Sequence, residues 1–340
     1  MDQLIPPYLK PASHSQFAPF GPGREVYAAL DLGTNNCRLL VARGTRRGFR
    51  VVDAFSRIVR LGEGLATTGR LSEPAMARTI EALKICAEKV AARQVHRARY
   101  VATEACRRAA NCTGFLAHVH DETGITIEII SSAEEARLVV AGCAPLLDPA
   151  VPRAVVIDIG GGSTELAWLA LADGKPPEIL AATSVPLGVV TMSDRYGGRV
   201  VTPESYEAMV AEMRRWVAAF DADHGIAEAI AAGGVQMLGS SGTVTTLAAV
   251  HLDLPRYNRA AVDGFTMAFT DIVGISHQLA EMDYAARVAH PCIGSDRADL
   301  VISGCAILEG VCQVWPVGRL RVADRGIREG ILTRLLAAGR

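Results

Sequence analysis

The 340-residue sequence contains no CxxC pair, few aromatic residues (5%) and no excess of charge of either sign. Its eight cysteines lie singly in apolar or helical-looking segments, which is typical of small core residues in a reducing cytoplasm. With 35 basic and 36 acidic residues, the net charge of −1 excludes a polycation that coats nucleic acid or a membrane. We therefore expect a cytoplasmic protein with neither nucleic acid nor a membrane as partner.

The sequence also lacks the features of a membrane span and of a signal peptide. Its long charge-free stretch, residues 229–252, contains four glycines, which favour a buried strand, a turn and a helix over a span. Residues 1–24 hold five of the sixteen prolines and no apolar segment of the kind a signal peptide needs. We expect these 24 residues to form a flexible tail.

Half of the residues are hydrophobic, and at about 150 residues per domain the length predicts two domains. A strand–turn–strand pattern occurs twice, with Asp31 and Asp158 at matching places 127 residues apart. Such a repetition predicts an internal duplication, with two α/β halves that face each other across a cleft. We place the domains at residues 25–140 and 141–340, and we expect the helix over 327–338 to pack back on the first domain.

Local signals place further elements. Ser72 is a plausible N-cap and Pro74 fits the first turn of a helix that keeps its apolar period to about residue 92. Further on, the pattern predicts a strand over 98–102, helices over about 113–122, 133–141 and 203–222, and a strand over about 228–238. The apolar segment 302–311 either pairs subunits or fills the core, and a homodimer is the expected assembly.

Glycine turns are the main chemical signal. Glycine lets the backbone approach a ligand, and successive N–H groups form a nest for an anion. Asp31 and Asp158 open two such turns, and an aspartate tolerates phosphate only with a metal between them, which suggests Mg²⁺. The alternative is a pair of plain hairpins. The turn at 239–243 precedes a helix, and there the choice lies between an anion site and a capped helix.

Two charged positions stay open at this level. Arg107 follows the strand at 98–102, where an arginine forks onto a phosphate or forms a surface salt bridge, and position alone favours the salt bridge. Glu134 and Glu135 begin a helix, and a solvated first-turn carboxylate is the default there. Glu165, at the start of the strand after Gly160, would share a ligand with Asp158 if it faced inward.

Seven segments carry a resemblance to a known family, and their order along the chain makes the set specific. They are Ala29-Leu30-Asp31-Leu32-Gly33-Thr34-Asn35, Arg60-Leu61-Gly62-Glu63-Gly64-Leu65, Thr103-Glu104-Ala105-Cys106-Arg107, Ser132-Ala133-Glu134-Glu135-Ala136-Arg137, the run from Val156 to Glu165, the turn from Gly239 to Thr243, and Arg328-Glu329-Gly330. In this order they resemble the Ppx/GppA phosphatase family, which comprises exopolyphosphatases and guanosine pentaphosphate phosphohydrolases. The family belongs to the wider sugar kinase/Hsp70/actin-like fold, so the resemblance implies two duplicated actin-like domains with a cleft between them.

The resemblance also implies roles. Glu135 matches the carboxylate that activates the attacking water, and Asp158 and Glu165 match acidic positions that act in catalysis and near Mg²⁺, with Asp31 as a further metal ligand. The phosphate-binding positions are Gly33, Thr34, Asn35, Arg107, Gly161, Gly162, Ser163, Thr164, Ser240, Ser241, Gly242 and Thr243.

The implied activity is hydrolysis of the terminal phosphoanhydride bond of inorganic polyphosphate, with removal of the 5′-terminal phosphate of guanosine pentaphosphate as the alternative. Two alternative functions belong to other classes: an ATP-dependent kinase of the same fold and an actin-like binding protein. The sequence departs from the family at Thr34 and Asn36, where serines are frequent, and at Ser241, where glycine is common. From its length we expect the short form of the family, without the additional helical C-terminal region of longer relatives.

Overall fold

The computed structural model describes residues 25–46 and 48–338, so the tail expected over residues 1–24 lies outside the described residues. The first half contains β1 (Val26–Leu32), β2 (Asn36–Thr45), β3 (Gly48–Ile58), α1 (Leu65–Thr68), α2 (Glu73–Ala92), β4 (Arg97–Ala102), α3 (Glu104–Arg108), α4 (Cys112–Thr123), β5 (Glu128–Ile129) and α5 (Ser132–Cys143), followed by one 3₁₀ turn at Ala144–Leu146.

The second half repeats this pattern with additional helices. It contains β6 (Arg153–Ile159), β7 (Thr164–Ala170), β8 (Glu178–Val185), α6 (Val189–Tyr196), α7 (Pro203–His224), α8 (Ile226–Ala231), β9 (Val235–Ser240), α9 (Gly242–His251), α10 (Arg259–Val262), β10 (Thr266–Ala268), α11 (Phe269–Glu281), α12 (Tyr284–Ala289), α13 (Val301–Val314), β11 (Arg319–Ala323) and α14 (Ile327–Ala338).

The start of α2 shows how the local signals act. The Ser72 hydroxyl accepts a hydrogen bond from the amide of Ala75, and Pro74 occupies the first turn, where its missing N–H costs nothing. The helix buries Ile80, Leu83 and Cys86 on one face. Its predicted cap and period are therefore confirmed.

Two sheets share one topology. The first has the order β3-β2-β1-β4-β5, and the second has β8-β7-β6-β9-β11 with β10 added at the edge. In each sheet the first strand is antiparallel to the second and parallel to the fourth. The predicted fold, two duplicated actin-like domains, is confirmed, and the matching hairpins put Asp31 opposite Arg38 and Asp158 opposite Glu165.

A layer of two helices lies between the sheets. α5 packs on α14, on β7 and on β8, while α14 packs on β1 and β2. The apolar core of this layer combines residues from both sheets, among them Ala29, Val156 and Leu169, with Leu138 of α5 and Ile331 of α14. The helix at 327–338 thus lies against the first sheet.

One predicted strand is wrong at its start. Residues 226–231 form α8, and β9 begins only at Val235, so the strand expected over 228–238 is a helix in its first part. The apolar run in this segment fits either structure. Gly233 and Gly234, both with positive φ, separate the helix from the strand, and this turn is what the sequence pattern did not resolve.

The apolar segment 302–311 has one of its two predicted roles. It lies in α13, where every residue from Val301 to Cys312 is buried, and it fills the core of the second half. The eight cysteines are all free and buried, as their apolar surroundings predict. No helix in the described part of the chain combines the length and the hydrophobicity needed to cross a bilayer.

Candidate active site

The two Asp-x-Gly turns meet at the centre of the cleft. A Cβ at Gly161 would lie 3.0 Å from the amide nitrogen of Asn35, and one at Gly162 would lie 2.6 Å from Oγ1 of Thr34. A side chain at Gly162 would require its neighbours to shift, and one at Gly161 would be tightly packed. The turn at 33–35 and the turn at 160–163 are therefore in direct contact, and they are called the first and second phosphate loops after their predicted role.

A cavity of about 120 Å³ opens beside the two loops. Most of the predicted site residues line this first cavity: Asp31, Gly33, Thr34, Asn35, Glu135, Asp158, Gly161, Gly162, Ser163, Gly242 and Thr243. A second cavity of about 250 Å³ adjoins it and is lined by Ser240 and Ser241, together with Asp31, Asp158 and Gly242. Arg107, Thr164 and Glu165 line neither cavity and lie behind the walls.

Asp31 and Asp158 face both cavities from the ends of β1 and β6. Burial raises the pKa of Asp31. Burial and the charge of Asp31 raise the pKa of Asp158 to about 6. Oδ1 of Asp31 is buried and has no hydrogen-bond partner. A bound cation would relieve the repulsion between these two half-buried carboxylates.

Glu135 lies in the first turn of α5, which Ser131 caps by accepting a hydrogen bond from the amide of Glu134. The Glu135 side chain is turned inward, with 4% of the residue exposed, and Oε2 accepts a 2.6 Å hydrogen bond from Nη1 of Arg107. Burial and the nearby Glu165 raise the pKa of Glu135, whereas Arg107 lowers it. A raised pKa makes this carboxylate a stronger base than an exposed one, and its place on the cavity wall suits proton transfer.

Arg107 is held entirely by protein groups. Nε and Nη2 donate to Oε2 of Glu104, and Nη1 also donates to the carbonyl oxygen of Ile130. Its guanidinium forms the salt bridge that its position favours, although this bridge is largely buried. Its contact with a phosphate stays a prediction.

Glu165 is buried on β7, next to Asp158 in the hairpin register. Its Oε1 accepts hydrogen bonds from Ser163 (2.7 Å) and Ser184 (2.9 Å). Burial and Asp158 raise the pKa of Glu165 to about 7. Glu165 thus lies behind the residues that line the cavity, where its charge acts on Asp158 and Glu135. Its role as a metal ligand stays a prediction.

The third loop, residues 239–243, joins β9 to α9 with an unusual backbone. Ser241 has φ of 95°, a left-handed conformation that favours glycine, which agrees with glycine being common at this position in the family. Oγ of Ser241 is buried without a partner, as is Oδ1 of Asn35 in the first phosphate loop. Buried polar atoms without hydrogen-bond partners are rare in proteins. The two atoms of Ser241 and Asn35 are therefore candidate ligand-binding groups of the cleft.

None of the arginines that line the two cavities is among the predicted site residues. Among them, Arg38 and Arg297 line both cavities, and Arg328 lines the second, where burial lowers its pKa. Arg38 could have been predicted from one feature of the sequence, because a tight β1–β2 hairpin puts it opposite Asp31. Nothing in the local sequence marked Arg297, which reaches the cleft from the segment before α13 and donates to Thr246.

A third cavity, of about 740 Å³, lies at the open side of the cleft. It shares Ser56, Tyr257 and Arg297 with the second cavity, so the two are neighbours. Tyr257 is 39% exposed and is anchored by a 2.7 Å hydrogen bond from its hydroxyl to Asp324. The cleft therefore offers cations in its interior and an aromatic ring on its outer wall.

Comparison with known proteins gives a consistent result. The profile of the Ppx/GppA phosphatase family matches residues 40–338. The chain is 31% identical over 338 residues to Exopolyphosphatase 2 of Mycobacterium tuberculosis, covering 91% of this chain and 98% of that protein. It is 30% identical over 316 residues to a putative exopolyphosphatase of Haemophilus influenzae, covering 92% and 91% of the two chains. The crystal structure of a Ppx/GppA family member from Aquifex aeolicus superposes with a TM-score of 0.75 at 26% identity, covering 92% and 98%.

Proposed function

The chain belongs to the Ppx/GppA phosphatase family, and we propose that it is an exopolyphosphatase, which removes the terminal phosphate of inorganic polyphosphate by hydrolysis. The observation that carries the proposal is the position of Glu135. Its buried carboxylate lies on the wall of a cavity that is also lined by two glycine-rich loops and two aspartates. Phosphoanhydride hydrolysis needs such a site, with positioned phosphate oxygens and an oriented water.

The proposed reaction uses the groups of this chain as follows. Amides and hydroxyls of the first and second phosphate loops bind the oxygens of the terminal phosphate. Glu135 accepts a proton from the attacking water while the water oxygen bonds to the terminal phosphorus. The bridging P–O bond breaks and its electron pair leaves on the shortened chain. Arg107 holds the Glu135 carboxylate in place, with a contact of 2.6 Å.

Magnesium is part of the proposal, and the residues fit it. In the described residues, no group of three or more His, Cys, Asp or Glu side chains has the arrangement of a metal site. Mg²⁺ typically uses one or two carboxylates and completes its shell with water and substrate phosphates. Asp31 and Asp158 would hold the ion, which when bound neutralises charge on the phosphate oxygens.

Guanosine pentaphosphate is the second candidate substrate, and the lining of the third cavity supports it. The third cavity presents Tyr257, Pro291 and Ile293 beside Arg297, a mixture of apolar and cationic groups on which a purine base could stack. Polyphosphate has no aromatic part and needs only the cations. Both substrates would present the same terminal phosphate to Glu135. A homodimer and a cytoplasmic location belong to the proposal as expected properties.

The test is release of phosphate by the purified protein in Mg²⁺, measured side by side on long-chain polyphosphate, guanosine pentaphosphate and ATP. Release from polyphosphate that is lost in Glu135→Gln would support the proposal. Release from the pentaphosphate alone would select the second candidate. Release from ATP alone would contradict both and favour a nucleotide-hydrolysing protein of the same fold.

A further inference from the structure

One ion pair spans the opening of the cleft. Arg60, between β3 and α1, donates from Nη1 to Oδ2 of Asp299 at 2.7 Å and from Nη2 to Oδ1 at 3.0 Å. Within residues 25–46 and 48–338, two ion pairs join the first half to the second. The other, Glu134 with Arg334, lies in the helix layer between the sheets. Arg60 and Asp299 are therefore the ionic contact between the halves on the side of the cleft.

Arg60 is attached to the first phosphate loop through its backbone. The amides of Val59 and Arg60 both donate to the carbonyl oxygen of Asn35, at 2.9 and 3.0 Å, and the amide of Gly62 donates to that of Thr34 at 2.9 Å. Arg60 itself has φ of 47°, a left-handed conformation that a non-glycine residue keeps only where its surroundings hold it. A movement of Arg60 is thus transmitted to the loop.

Asp299 is attached to the second phosphate loop through α6. Its carbonyl oxygen accepts a 2.9 Å hydrogen bond from the hydroxyl of Ser193, which lies in α6. At the start of the same helix, the amides of Val189 and Val190 donate to the carbonyl oxygens of Gly160 and Gly161, at 3.0 and 2.8 Å. A continuous series of contacts therefore joins the two phosphate loops through this ion pair.

We propose that Arg60 and Asp299 form a latch that holds the two phosphate loops at the spacing which the substrate requires. The two residues are positioning residues, since they act through the loops. This inference rests on the proposed function for its substrate. Bidentate arginine–carboxylate pairs fix geometry as well as distance, which suits a latch. Without the pair, the halves would open more often, and binding of the terminal phosphate would carry the cost of closing them.

The test exploits the opposite charges of the two residues. Arg60→Gln removes a cation from the third cavity, which would weaken polyphosphate binding by electrostatics alone. Asp299→Asn removes an anion, so electrostatics alone would strengthen that binding. The latch predicts that both variants raise KM for polyphosphate, by about fivefold to tenfold, with a smaller change in kcat. The charge-swapped variant Arg60→Asp with Asp299→Arg should recover part of the loss.

Matched controls are Arg93→Gln and Asp53→Asn, which break an arginine–aspartate ion pair inside the first half. Small-angle X-ray scattering of the ligand-free proteins supplies a readout that does not depend on activity. The radius of gyration should rise in the two latch variants and stay unchanged in the controls. A KM for Asp299→Asn at or below that of the wild type would overturn the latch. If the wild type released no phosphate from any substrate, the proposed function would fail, and the scattering comparison would decide the latch alone.

Discussion

Arg107 joins two acidic side chains of the first cavity, with Nη1 at 2.6 Å from Glu135 and Nη2 at 2.8 Å from Glu104. The guanidinium thereby fixes the direction of the Glu135 carboxylate and opposes the rise in its pKa that burial causes. Arg107 exerts both effects on Glu135, and it acts on the proposed reaction only through that residue. They can be separated from substrate binding by their dependence on pH.

The variant Arg107→Gln should lower kcat and move the acid limb of the pH–rate profile to higher pH. Arg107 lowers the pKa of Glu135, so its removal raises that pKa, and a higher pH is then needed to ionise the base. Rates over pH 5–9 measure the shift. Arg108→Gln is the control, because Arg108 lies 3.9 Å from Glu104 and makes no contact with Glu135. A loss of rate without a shift of the limb would argue for a direct phosphate contact instead.

Glu135→Gln should keep the fold and reduce turnover by about 10²- to 10⁴-fold, the usual contribution of a general base. Glu134→Gln is the matched control on the same helix turn. Its carboxylate pairs with Arg99 and Arg334 and does not line the first cavity. Turnover numbers at saturating polyphosphate, with melting temperatures, provide the comparison. Equal activity of the two variants would remove Glu135 from the mechanism.

Asp158→Asn should stabilise the metal-free protein above pH 6. The pKa of Asp158 rises from 3.8 to about 6 on folding, so the stability it contributes is present below pH 3.8 and is lost as the pH rises through 6. The variant avoids that loss, and we expect a gain of roughly 1–3 kcal/mol in the free energy of unfolding at pH 8. Urea denaturation at pH 5 and pH 8 measures it.

Addition of Mg²⁺ completes this experiment. The ion should raise the melting temperature of the wild type more at pH 8 than at pH 5, because its ligands must be ionised. The same addition should leave Asp158→Asn nearly unchanged. An equal Mg²⁺ effect on both proteins would place the ion elsewhere.

Gly330→Ala should destabilise the protein by about 1–3 kcal/mol or more, since a Cβ at this place would lie 2.0 Å from the carbonyl oxygen of Leu138. The backbones of α5 and α14 approach each other at this contact, and neither can retreat without disturbing both sheets. Gly274→Ala, in α11, is the control. No atom lies within 4 Å of its added Cβ, and the change should stabilise by about 0.5–1 kcal/mol. Chemical denaturation distinguishes the opposite signs.

The sequence allowed much of the fold to be predicted because the duplicated hairpins have strong local patterns. Apolar runs that end at Asp31 and Asp158 locate β1 and β6, and the Ser72 cap locates α2. Short elements such as α3 or β10 have too few residues for a period to be detected. At 226–231, an alanine-rich apolar run suits helix and strand alike, and the surrounding tertiary structure decides.

The site was predictable where its residues are part of a glycine turn and less so where they are not. The first and second phosphate loops could be located by their glycines, but their contact depends on how the two halves are placed. Arg297 enters the cleft from a segment without a local motif, and its role needs the tertiary fold. The sequence left Arg107 with two interpretations, a phosphate contact or a salt bridge. Its hydrogen bond to Glu135 joins residues that are 28 positions apart.

The helix layer between the sheets determines when the first half can complete its folding during synthesis. Glu134 of α5 and Arg334 of α14 are 200 positions apart and form an ion pair, and α14 covers β1 and β2 on the inner face of the first sheet. While the ribosome makes the second half, that face lacks α14 and exposes apolar residues such as Ala29 and Leu40. The first half therefore completes its folding only after the second has been translated, and in the interval it offers a binding surface to chaperones.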